Sequence, residues 1–127
     1  MRRIHLDDVE GTLFPAGRRT KVLVGKDSPL QAKGFAMGRV RVFPGGSIPA
    51  HEHVNEEIYH ILSGTGEMQV GDETETVRAG DTVYMEPDVP HTLRNTGDSD
   101  MELLFVYSPA GVVEHWREEL EGKRPQG

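Results

Sequence analysis

The chain has 127 residues, a formal charge of −7, and no cysteine. That length holds one domain with its own core and not two, and the missing cysteines exclude disulfides, thiolate metal sites, redox dithiols and cysteine nucleophiles. Lys and Arg occur singly or in pairs such as Arg2–Arg3 and Arg18–Arg19, without the basic stripe that nucleic-acid binding requires.

The opening MRRIHLDDVEG is charged and has no apolar run behind it, which points to no signal peptide, no membrane span and a cytoplasmic location. Residues 1–19 read as an N-terminal arm and 20–108 as a barrel. Fifteen glycines and eight prolines punctuate the chain, the rhythm of short antiparallel strands joined by turns. The strands expected in order are Thr20 to Val24, Phe35 to Phe43, Ile58 to Leu62, Glu67 to Val70, Thr82 to Met85, His91 to Arg94 and Glu102 to Tyr107. Met68 and Val70 alternate with Glu67 and Gln69, giving one buried and one wet face, and Gly71-Asp72 reads as a tight turn. Val40 and Val42 are expected to fill the core, which turns Arg39 and Arg41 outward.

Two strands do not alternate. Leu103 to Tyr107 is apolar on both faces, and Ile58, His60 and Leu62 give their strand a second, mainly apolar face, so both faces need cover. A second subunit, making a homodimer, supplies that cover in one reading; in the other the C-terminal segment does. That segment, 109–121, is the one expected helix, with Ser108 as N-cap, Pro109 at the first position and Gly122 past the end. Val112, Trp116 and Leu120 make its apolar stripe, and residues 123–127 read as a frayed tail.

The chemistry concentrates between Gly45 and Asn95. His51 and His53 are two apart, and in an extended strand such residues point to one side and can chelate a single ion. Glu57 shares their parity, although Val54-Asn55-Glu56 reads as a loop that weakens the argument, and His91 opens another strand that can supply a fourth ligand across the barrel. Tyr59 and Ile61, with the parity of Glu57, are expected to line the cavity, and Met68, Val70 and Leu93 to add an apolar wall. Tyr59 and Glu86 are the candidate catalytic groups, the tyrosine set against a packed, hydrogen-bonded core role and the glutamate, with Asp88, against a solvated turn. Asn95 is expected to satisfy backbone groups. His5, His60 and His115 read as structural or surface residues.

Written out, the two blocks are Gly45-x5-His51-x-His53-x3-Glu57-x6-Gly64 and Gly80-x5-Glu86-x-Asp88-x2-His91-x3-Asn95, separated by the fifteen residues Thr65 to Ala79. They resemble the two motifs of the cupin superfamily, the first at every defined position and the second at Gly80, His91 and Asn95. Glu86 stands where the family usually has proline and Asp88 where it usually has glycine. The resemblance implies an all-β jelly-roll barrel and His51, His53, Glu57 and His91 as ligands of one divalent ion. Three imidazoles and a carboxylate suit Mn, Fe, Ni, Zn or Cu. Such an ion keeps positions open for a small oxygen-rich partner. The functions implied are a dioxygenase acting on a dicarbonyl or enediol, an oxalate- or sugar-acid-related enzyme such as a decarboxylase or isomerase, or a non-catalytic binding module.

Overall fold

The computed structural model of the protein describes residues 1–111 and 119–121. A 3-10 turn, Leu6–Asp8, precedes strands β1 (Thr12–Phe14), β2 (Arg18–Gly25), β3 (Leu30–Gln31), β4 (Ala36–Val42), β5 (Ser47–His51), β6 (Glu56–Ser63), β7 (Thr65–Val70), β8 (Glu73–Arg78), β9 (Thr82–Met85), β10 (His91–Asn95) and β11 (Met101–Ser108). Seven of them form one sheet in the order β1-β2-β4-β11-β6-β9, with β3 beside β2, and β5-β10-β7-β8 form a second. β2 and β3 pair in parallel, and the other ladders are antiparallel. Strands distant in sequence thus lie side by side, the double-sheet jelly roll that the family resemblance implied.

Alternation builds the core. β11 places Leu103, Phe105 and Tyr107 inward, and Val40, Val42, Ile61, Met68, Met85 and Leu93 meet them there. Arg39 and Arg41 face outward, as expected, to Glu102 on the neighbouring strand. Gly38 belongs where it is because any Cβ there would collide with the Lys21 carbonyl and lie 2.6 Å from the Phe105 ring. The Gly71-Asp72 turn forms, with Gly71 at φ 57° between paired Val70 and Glu73.

Four strands go beyond those expected from sequence, for identifiable reasons. β8 exposes every residue but Val77, so it carries no apolar alternation. β5 contains Pro49, which cannot donate to a ladder and is tolerated because β5 is an edge strand. β1 and β3 span three and two residues, too short for a periodicity. At the other end, Ser108 is not a helix cap: it closes β11, pairs with Glu56, and donates its hydroxyl to Gly34 O at 2.7 Å. Residues 109–111 are not helical, whereas Glu119 and Leu120 are. The rest of the expected helix, with Val112 and Trp116, and also His115, lies outside the described residues. No helix among the described residues is long and apolar enough to cross a membrane.

Candidate metal centre

The site sits between the two sheets. In the smaller sheet β5 ends at His51 and β10 begins at His91, and the two are cross-strand partners. From the larger sheet β6 contributes Glu57, which pairs with Tyr107 on one side and Met85 on the other. His53 arrives differently from the parity expectation. β5 stops at His51, so a loop, not a strand face, carries His53 inward, and its ring is fixed by Nδ1 to the Asn55 carbonyl at 2.9 Å.

The other two imidazoles are held in the same way, His51 Nδ1 to Pro49 O at 2.8 Å and His91 Nδ1 to Val89 O at 3.0 Å. A carbonyl only accepts, so each Nδ1 carries the proton. That choice leaves every Nε2 to face the common point, which is how metal-ligating histidines are oriented. One ligand atom from each of His51, His53, Glu57 and His91 lies within 4.8 Å of all the others. Donors around one ion at about 2 Å stand roughly 3 to 4 Å apart, so small side-chain movements suffice to close the set. His91 Nε2 is buried and has no hydrogen-bond partner, being 3.5 Å from Glu57 Oε1. A buried nitrogen lone pair left this way is costly, and a cation at the common point satisfies it. The cluster is therefore able to bind a metal ion.

Electrostatics agree with this reading. Burial acting alone would raise the Glu57 carboxyl, but hydrogen bonding from His53 at 3.0 Å, with the His91 imidazole close by, holds it below the usual carboxylate range. Burial works to lower His53, and Glu57 outweighs it by hydrogen bonding and charge, so the imidazole is raised above 6.5. The 3.0 Å contact of His53 Nε2 with Glu57 Oε1 thus favours the protonated imidazole, a positive charge in the place a cation would take.

The cavity beside this cluster is small, about 20 Å³, and is lined by His51, His53 and Glu57 with Arg18, Thr20, Val40, Ile48, Tyr59, Phe105 and Tyr107. That is room for one or two waters. Tyr59 lies where parity put it, 3% exposed. Burial first, then the charge of Glu57, push its phenol well above the ordinary value, so it is a neutral hydrogen-bonding group. The same causes push Tyr107 up to about 12. Glu86 is exposed and lies along an outer groove with Tyr84 and Asp72, not on this cavity. Ile61, Met68 and Leu93 are core residues and Val70 packs against them, but none lines the cavity; its apolar wall comes from β4, β5 and β11. Asn95 satisfies backbone as expected, donating to Val42 O and Ser99 O and accepting from Gly97 N. His5 is exposed, and His60 meets Thr82 on the outer side.

Among the cavity residues that the sequence reading missed, Arg18 carries the charge. As half of an Arg-Arg pair near the N-terminus it looks like surface, yet it is 1% exposed and forms a bidentate ion pair with Glu119, itself 2% exposed. Its place as an inward residue at the start of β2, opposite Val42, is the signal that alternation through Thr20 would have supplied. Asp88 bears on the motif's departure from family pattern. At φ 62° it is, among the described residues, the non-glycine with positive φ, which explains why glycine is usual there and why aspartate is tolerated.

Comparison with known proteins places this geometry in a family. An oxalate-binding protein of Thermotoga maritima is 33% identical over 85 residues, covering 66% of this chain and 69% of that protein. A 5-nitrosalicylic acid 1,2-dioxygenase of Bradyrhizobium sp is 28% identical over 117 residues, covering 87% of this chain and 56% of the relative. Among solved structures, a predicted oxalate decarboxylase from Thermotoga maritima superposes with a TM-score of 0.75 over 84% of this chain and 98% of the other, at 24% identity. The sequence model of the cupin domain matches residues 38–107, which include every residue of the cluster, and the chain belongs to the cupin family.

Proposed function

We propose that the protein is a metal-dependent small-molecule enzyme in which His51, His53, Glu57 and His91 hold one divalent ion that engages a small oxygen-rich substrate through two adjacent oxygens. The observation that carries this reading is the convergence of four donors with His91 Nε2 buried and unpaired. Bound there, Mn, Fe, Ni, Zn or Cu supplies Lewis-acid or oxygen-activating chemistry. The chain's own residues do the rest. Val40, Ile48 and Phe105 keep bulk water out, which strengthens every charge interaction inside, and Tyr59, protonated across the working pH range, offers a hydrogen-bond donor to a ligand oxygen. Relatives named as an oxalate-binding protein and a 5-nitrosalicylic acid 1,2-dioxygenase support a planar, carboxylate-bearing or dicarbonyl partner. The test is metal analysis of protein purified without added metal. Oxygen uptake and product formation across oxalate, dicarbonyl and enediol compounds with each metal then follow. Unchanged oxygen and intact compounds throughout would refute dioxygenase and decarboxylase chemistry.

A second reading is a non-catalytic binding module, favoured by the small cavity and by the relative named for binding alone. A compound that raises the melting temperature and is recovered unaltered selects this reading over the first. Either protein is a homodimer in our proposal. Met37, Val106, Ile58 and Tyr84 stand in register across β4, β11, β6 and β9 on the outer face of the larger sheet, an apolar row that a second copy would cover. A monomer by light scattering at micromolar concentration counts against it.

A further inference from the structure

The metal cluster does not account for the most deeply buried charge on the cavity wall. Arg18 lies over the Phe14 ring, its guanidinium carbon 4.1 Å from the centroid. Its Nη1 and Nη2 donate to Glu119 Oε2 and Oε1 at 2.6 and 2.8 Å, and Nη1 also reaches Ser47 O at 3.3 Å. The two side chains are 2% and 3% exposed. Stability alone does not call for such a pair, because apolar residues of similar volume fill a buried site as well or better. Arg18 nevertheless borders the cavity, sharing its wall with His51, His53 and Glu57, with Glu119 behind it, and the charges of Glu57, Arg18 and Glu119 all act on the Tyr59 phenol.

Two observations turn this pair into a ligand argument. The cavity holds about 20 Å³, one or two waters, so even a two-carbon diacid needs a protein group to withdraw. Glu119 is the group suited to withdraw. It comes from beyond β11, outside the strand ladders, and it presents to Arg18 the same planar fork that a ligand carboxylate would present.

We propose that Arg18 is a carboxylate-binding subsite of the cavity, that Glu119 occupies it when no ligand is bound, and that a small carboxylate reaching the metal cluster takes Glu119's place on Arg18. The inference rests on the metal-centre reading above and adds the ligand class, compact mono- and dicarboxylates, over neutral compounds of the same size. Exchange of one carboxylate for another keeps Arg18 paired throughout, so the buried guanidinium is never left without a counter-charge.

The test uses the full chain loaded with Mn2+, with oxalate and neutral 2,3-butanedione as probes. Calorimetry reads affinity, and the fluorescence of Trp116, the sole tryptophan and three positions before Glu119 in the chain, is followed in parallel. Glu119→Gln should tighten oxalate by about tenfold or more, because the guanidinium regains a full counter-charge, and leave butanedione unchanged. Arg18→Met/Glu119→Leu removes the pair without stranding a charge, so it should stay folded and bind oxalate at least about tenfold more weakly than Glu119→Gln does. Oxalate should shift the Trp116 emission in the wild type and not in the double variant. Unaltered or absent oxalate binding in Mn2+-loaded Glu119→Gln overturns the subsite, as does undiminished binding in the double variant. Failure of Mn2+ to bind the wild type is a separate result that overturns the metal-centre reading and this inference with it.

Discussion

Replacing His91 by alanine separates metal binding from folding, because the side chain's two nitrogens do different things. Nδ1 donates to Val89 O at 3.0 Å, a bond whose loss costs about 1 kcal/mol, while removal of the unpartnered Nε2 returns a desolvation penalty of roughly 1–3 kcal/mol. The metal-free variant should therefore stay within about 2 kcal/mol of the wild type, the cavity left by the ring included. The metal-bound comparison differs. A divalent ion at one hundred times its dissociation constant stabilises the folded state by about 2.7 kcal/mol. For a chain of this length each kcal/mol moves the melting temperature by about 4 °C, so the wild type should gain roughly 10 °C on saturation. His91→Ala should gain almost nothing at the same ion concentration. Differential scanning fluorimetry after chelation, with and without Mn2+, Fe2+, Ni2+ and Zn2+, reads both quantities. An undiminished metal-dependent rise in the variant would refute the assignment of His91 Nε2 to the ion.

Metal affinity should fall as pH drops through the raised value of His53, since the proton bridging Nε2 to Glu57 must leave before an ion enters. Glu57, held low, is already ionised and releases none. Calorimetry in buffers of different ionisation enthalpy should find about one proton released on the acid side, falling toward zero well above pH 6.5; no release at any pH would contradict the bridging proton. Asp88→Gly should stabilise the chain by up to about 1 kcal/mol by relieving the φ of 62°, whereas Asp88→Val should destabilise it; urea unfolding midpoints decide this. Asn95→Ala removes two donated bonds and one accepted bond at 2.8 to 2.9 Å and should cost about 2–4 kcal/mol by the same measurement. A change below about 0.5 kcal/mol, typical of an unimportant surface position, would show that water replaces those bonds.

The four residues of the cluster were legible in the chain because ligand chemistry leaves spaced, typed residues: two histidines two apart, a glutamate four on, and a histidine at the head of a later strand. Parity gave the correct partners but for His53 the wrong cause, since a loop anchored at Asn55 carries it inward. A strand with alternating faces, such as β7, was equally plain, and β11 was plain as a continuous apolar run. β8 was not, because four of its first five residues are polar and exposed.

By itself, then, the sequence determined the all-β class, the tight turn at Gly71-Asp72 and the four residues of the cluster, for these depend on local pattern and residue type. Only the tertiary structure decided which charges become partners across it. Arg18 and Glu119 are 101 positions apart, and no local rule ties a guanidinium near one end of a chain to a carboxylate near the other. Their pairing follows from the fold setting Glu119 against the buried start of β2, where the low dielectric makes each charge require the other.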